Sequence, residues 1–213
     1  MTSWIKLAAM ATAMGGWSMA AEAQEKAPPD PRAVAGAAEF AVDLYKAVAA
    51  EPGDLFCSPL NVAVALDMTA AGTRGETAAQ MARVLHREGL KNSGPEGLGA
   101  LLPATDASPP DQAEGGADAP GLWTANAGWF GENETILPAY LQALRDGYGA
   151  EPHRVDFGRS PDAARETINA WVADRTLGKI RDLLKPEHVR PGTTFVLTSA
   201  IAFKGFWRRP FQA

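Results

Sequence analysis

One stretch near the C-terminus constrains this chain most: within residues 194–203, Phe195, Val196, Leu197, Ile201 and Phe203 leave almost no polar alternation. A run of this kind reads as a central β-strand covered on both faces, and such a strand needs a neighbour on each side. Only ten residues follow Phe203, and Pro210 is among them, so no obvious partner remains to cover one edge. The expectation is a chain that ends before its own sheet is complete.

Upstream, helix signals recur. Residues 33–50 place Val34, Ala37, Ala38, Ala41, Leu44, Tyr45 and Val48 at helical intervals, broken by Pro52-Gly53. Ser58-Pro59 opens a second helix, with serine as the cap and proline in the first turn, and Gly72 closes it. Val62, Ala65, Leu66 and Thr69 form its expected inner face. Residues 76–85 give a third short helix carrying Met81, Val84 and Leu85 inward. From 91 to 121 the chain is rich in Gly, Pro, Asp and Ala, relieved only by Leu98, Leu101 and Leu102, and reads mostly as a surface insertion. Residues 122–130 then form an aromatic-rich strand, 137–147 a helix starting at Pro138, and 152–157 a short strand. Ser160-Pro161 starts a last helix, reaching about Thr176, on which Ala164, Ile168, Trp171, Val172 and Arg175 recur; Gly178 ends it.

Composition removes several function classes. The 213 residues are 46% hydrophobic and 21% charged, ordinary for a globular domain, and the net charge of −5 carries no basic face for nucleic acid. The single cysteine, Cys57, permits no internal disulfide and reads as a small buried apolar side chain. No metal or cofactor is expected: Gly72-Thr73-Arg74-Gly75 lacks both the lysine and the preceding strand of a phosphate loop. Lys6, the apolar stretch 7–20 and Ala21-Glu22-Ala23 form a signal peptide over residues 1–23, cut after Ala23. The apolar run is too short for a retained membrane span. Residues 24–32 follow as a polar linker, and the mature product is expected to be secreted or periplasmic, soluble and monomeric.

Three blocks of sequence carry a resemblance. Phe40-Ala-Val-Asp-Leu44, Phe56-Cys-Ser-Pro-Leu-Asn-Val-Ala-Val-Ala-Leu66 and residues 68–77 resemble the opening helices of the serpins. Thr124-Ala-Asn-Ala-Gly-Trp-Phe130 is similar to strand two of that family's large sheet, and residues 148–157 to the strand that follows. Ile168-Asn-Ala-Trp-Val-Ala-Asp-Arg-Thr-Leu-Gly-Lys-Ile-Arg-Asp-Leu183 resembles the helix that crosses the sheet, and residues 197–207 its third strand and turn. The resemblance implies an α+β fold, helices packed on a large mixed β-sheet, with residues 33–213 forming the N-terminal part of a serpin domain that lacks the reactive-centre loop.

It also implies a function, inhibition of a target protease of serine or else cysteine type. In the family the protease cleaves an exposed loop, and the loop inserts as a new strand into the sheet, a form of strand addition. Strands that part and re-pair need polar groups beneath them that exchange partners without being left unsatisfied. Ser58, Asn61 and Ser199 match the family positions for this shutter. Asn61 and Ser199 stand where serine and asparagine are commoner, so amide and hydroxyl are exchanged across the site. Trp207 matches the tryptophan at the top of the sheet, the breach, where a buried indole is expected. Asn169, Trp171 and Thr176 match positions of the crossing helix, and Asn126 a polar position of strand two.

Other readings compete. A hydrolase would need Ser58 or Ser199 beside His86, His153 or His188, yet no serine sits in a nucleophile elbow and each histidine reads as a solvated side chain. A non-inhibitory serpin-like protein, or an inactive truncated fragment with an exposed sheet edge, would share every residue seen here.

Overall fold

The computed structural model describes residues 28–50, 53–91, 96–102 and 121–207. The signal peptide and the start of the linker lie outside the described residues, as does segment 103–120 of the insertion.

Among the described residues five α-helices and three strands follow in the order α1 (Pro31–Val48), α2 (Pro59–Ala71), α3 (Gly75–Val84), β1 (Gly121–Gly131), α4 (Pro138–Tyr148), β2 (Glu151–Val155), α5 (Pro161–Arg175) and β3 (Phe195–Lys204). Four of the helices begin on proline, whose missing N–H costs nothing in the first turn. Asp30 caps α1, so the helix takes in Pro31 and Arg32 from the expected linker. Ser58 caps α2 as expected, whereas the Ser160 side chain makes no cap bond to α5.

The sheet is mixed, in the order β2-β1-β3, with β2 parallel and β3 antiparallel to β1. Among the described residues β1 lies between the other two strands. Ten β1–β3 pairs run from Gly121↔Lys204 to Phe130↔Phe195. On its other side β3 borders no strand among the described residues, and Phe195 and Phe203 at its ends are exposed.

Alternation along the strands gives the sheet two faces. Ala125, Ala127 and Trp129 of β1 face α5, packing with Ile168, Val172 and Phe157. Phe130 and Leu197 face the opposite layer, a larger core built from Phe40 of α1, Val64 and Met68 of α2, and Leu144 and Tyr148 of α4. Leu98 and Leu102 of the expected surface insertion are buried in this same core, around a 3-10 turn at Leu98–Leu101.

Several inner faces differ from those the spacing predicts. In α1 the buried residues are Ala33, Gly36 and Phe40, while Val34 and Tyr45 are exposed. The helix is rotated because it approaches the turn after α3 along Gly36, where an added Cβ would overlap the His86 carbonyl. Helix α2 is surrounded by the core, burying Ala63, Val64, Asp67, Met68 and Ala70, so only Val62 of its expected inner face is left exposed. Val84 of α3 points outward and Leu85 inward. Cys57 is exposed, because residues 53–58 run along the surface ahead of α2 with Phe56 wholly open to solvent. No described helix is long and apolar enough to cross a membrane.

Candidate functional site: the polar layer under the open strand

The side chains of Asn61 and Ser199 meet where α2 passes beneath β3. Asn61 Nδ2 donates to the Ser199 carbonyl at 2.7 Å, and the Ser199 hydroxyl donates to Asn61 Oδ1 at 2.7 Å. The pair is half-buried and reciprocal: one amide serves a backbone acceptor and a side-chain donor of the same strand residue. The amide and hydroxyl exchanged between these positions thus still find each other. Ser58 holds the start of this arrangement, its Oγ accepting a long bond of 3.4 Å from the Asn61 N–H.

Asn126 is the cross-strand partner of Ser199 and is buried on the same face. Its Nδ2 donates to the Tyr148 carbonyl at 3.0 Å, tying β1 to the end of α4, while its Oδ1 has no hydrogen-bond partner. Along β3 and β1 the sheet therefore carries a row of polar groups with short bonds and, at Asn126, a buried acceptor without a partner. On the opposite face, Trp129 Nε1 donates to the Thr198 hydroxyl at 3.0 Å, a second cross-strand tie between β1 and β3.

The residues expected on the crossing helix fasten α5 and the segment after it. Asn169 Nδ2 donates to the Leu184 carbonyl at 2.9 Å and Oδ1 accepts from the Leu184 N–H at 2.8 Å. The Thr176 hydroxyl donates to the Val172 carbonyl at 2.8 Å and accepts from the Ile180 N–H at 3.2 Å, terminating the helix. Trp171 lies edge-on to Trp129. Trp207 is not the buried indole expected: it is 73% exposed, three residues past Lys204, where the β1–β3 pairing ends.

Removing Asn61 should therefore leave the Ser199 hydroxyl and carbonyl in search of water. Asn61→Ala is expected to cost about 1–2 kcal/mol in denaturant unfolding. Combined with Ser199→Ala, the loss should fall short of the sum, giving a coupling of about 0.5–1.5 kcal/mol. Strict additivity would mean the pair does not act as a unit.

No hydrolytic site forms around these serines. Ser58 and Ser199 both engage Asn61. The histidines lie elsewhere and are not simply solvated: His86 pairs with Glu39 at 3.1 Å and Asp43 at 2.9 Å, and His188 Nδ1 accepts from the Lys185 N–H at 3.1 Å. His153 stacks on Trp129.

A polar cluster in the core escaped the sequence reading. Asp67, fully buried on α2, pairs with Arg87, which is 2% exposed. Asp67 Oδ2 also accepts from the Tyr148 hydroxyl at 2.8 Å and the Leu98 N–H at 3.2 Å. Arg87 donates onward to the carbonyls of Lys91 at 2.5 Å and Glu96 at 2.7 Å. Burial first, then the Asp67 carboxylate, raises the Tyr148 phenol above its ordinary range, so it stays a donor at any pH the fold meets. The signal was one acid inside the apolar run Val64 to Met68.

Comparison with known proteins agrees with this architecture. A family model described as serpin (serine protease inhibitor) matches residues 35–213. The leukocyte elastase inhibitor of Bos taurus is 41% identical over 177 residues, covering 81% of this chain and 44% of that protein. Ovalbumin from emu, Dromaius novaehollandiae, superposes with a TM-score of 0.73 at 31% identity, over 84% of this chain and 48% of that one. A loop-inserted, P1-P1′ cleaved ovalbumin mutant superposes with a TM-score of 0.69 at 28% identity, over 84% and 49%. The chain spans about half the length of the curated relatives it matches. With the mixed sheet, the helix crossing it and the matched family model in agreement, the chain belongs to the serpin family.

Proposed function

We propose that the protein to which these residues belong inhibits a serine protease as a suicide substrate, with the outer edge of β3 as the place where its cleaved loop enters the sheet. The single observation that carries this reading is the reciprocal Asn61–Ser199 pair beneath β3, which borders β1 alone among the described strands. A strand that takes a new neighbour needs support from the layer beneath it, and this pair supplies it, one bond going to the side chain and one to the backbone carbonyl of Ser199.

In the reaction, the protease serine attacks a loop carbonyl, the peptide bond breaks and the acyl-enzyme forms. Pairing of the freed loop along β3 then carries the acylated protease away before water can deacylate it. Strand addition supplies the driving force, because the N–H and C=O groups of the freed loop gain partners within the sheet and its apolar side chains gain cover. Ser58, Asn61, Ser199 and Asn126 act as the shutter, Asn169, Trp171 and Thr176 hold the helix that must yield, and Trp207 marks the point of entry.

The relative named as an elastase inhibitor makes an elastase-type protease the first target to try. The product of the complete reading frame, mixed with such an enzyme in equal amounts, should give a covalent complex that survives denaturing electrophoresis. Cleavage of every molecule with full release of active protease would overturn the inhibitory reading and leave a non-inhibitory serpin. Residues 1–23 are proposed to direct export, and N-terminal sequencing of the exported protein should begin at Gln24.

A further inference from the structure

Three rings from three elements meet on the α5 face of the sheet. The His153 imidazole of β2 lies flat on the Trp129 indole of β1, centroids 4.3 Å apart and planes 19° from parallel. Trp171 of α5 meets both rings edge-on, 5.6 Å from Trp129 and 5.9 Å from His153. One turn on, the Arg175 guanidinium sits 5.2 Å from the centre of the Trp171 ring. His153 thus fills the slot through which this end of α5 is joined to two strands.

The charges facing the imidazole are few. Glu151, on the same strand, places Oε2 3.5 Å from His153 Nε2, and Arg175 faces it from α5. From β1 comes only the uncharged indole. The Glu151 carboxylate is already engaged, its Oε1 accepting from Arg175 at 3.2 Å, and Nε2 itself makes no hydrogen bond. A proton added to His153 would create a cation beside a guanidinium, in an aromatic slot, facing a carboxylate that Arg175 already holds.

We infer that His153 is an acid-sensitive latch: neutral, it clasps α5 to the sheet through Trp129 and Trp171; protonated, it loosens that helix. Burial, which outweighs the attraction of Glu151, holds the imidazole below its ordinary range. The folded protein therefore takes up this proton less readily than the unfolded chain. The latch is fully closed above the ordinary imidazole value of about 6.5 and its contribution is lost as pH falls below it. The opposing force is attraction between an imidazolium and the Trp129 face, and the outcome of the test decides between them. Because α5 lies across the strands that must part, acid would also ease sheet opening; that consequence rests on the insertion reading above, whereas the latch does not.

The test is hydrogen exchange of residues 161–175 in the full-length product, corrected for intrinsic rates, between about pH 7.5 and about pH 5, the range in which histidine titrates. Exchange in α5 should become several-fold faster at the acid end, and His153→Phe, which keeps a ring but takes no proton, should abolish that change. Equal exchange at both ends, or the same acceleration in the variant, would overturn the latch. Should the variant fold poorly, the wild-type ring decides by NMR titration: a midpoint below the ordinary imidazole range supports the latch, and one at or above it overturns the latch. No protease enters this experiment, so its failure leaves the inhibitory reading standing, and failure of covalent trapping leaves the latch standing.

Discussion

Replacing Asp67 with alanine is expected to destabilise the fold by about 3–5 kcal/mol, among the largest losses a single substitution here can cause. The carboxylate is the meeting point of three donors from three parts of the chain: Arg87 after α3, the Leu98 N–H and the Tyr148 hydroxyl at the end of α4. Its removal leaves a guanidinium that is almost wholly buried without its carboxylate. The penalty comes chiefly from the stranded partner, not from the strength of the pair, and this can be checked. Asp67→Leu combined with Arg87→Met should recover a large part of the loss, because an apolar pair leaves no buried charge behind. Denaturant unfolding of the two variants separates the cases: equal instability in both would mean that Arg87 is not the source of the cost.

The second large effect is expected at Trp129. The indole is 1% exposed and touches three elements, with Thr198 accepting its N–H, His153 stacked on its face and Trp171 at its edge. Trp129→Ala opens a cavity between sheet and α5 and should cost about 3–5 kcal/mol. Trp129→Phe keeps most of the apolar contact and loses chiefly the hydrogen bond to Thr198, for about 1–2 kcal/mol. Thermal unfolding measures both. A phenylalanine variant as unstable as the alanine one would place the importance of this residue in its N–H and not in its packing.

Element boundaries were legible in the sequence where the chain punctuates itself. Pro59, Pro138 and Pro161 open helices where the reading placed them, and Gly72 closes α2. The strands were legible because apolar residues concentrate where two layers cover the sheet, as they do along β1 and β3. Faces were less legible than elements. Spacing alone set α1 half a face off, since the deciding fact is how closely Gly36 lets the turn at His86 approach, and no local pattern encodes a contact fifty residues away. Cys57 shows the limit of composition: its residue type favours burial, yet the segment ahead of α2 lies on the surface.

At the candidate site, the likeness to the family picked out Asn61 and Ser199 but could not say whether an amide and a hydroxyl exchanged between them would still bond. The geometry answers this, with two bonds of 2.7 Å. His153 was dismissed beside Pro152 because stacking depends on β1 and α5, which local sequence does not bring together. Asp67 was hidden for the same reason, its partners lying 31 and 81 residues away for Leu98 and Tyr148.

The most direct test of the central proposal, that the freed loop pairs along β3, is the thermal unfolding of the complete protein before and after cleavage by a protease. Insertion adds a strand to the sheet, and the account predicts that cleavage raises the Tm by at least about 10 °C, given the few degrees that each kcal/mol is worth in a domain of this size. A cleaved protein that melts at or below the temperature of the intact one would contradict the account, because the sheet would then have gained nothing from the freed loop.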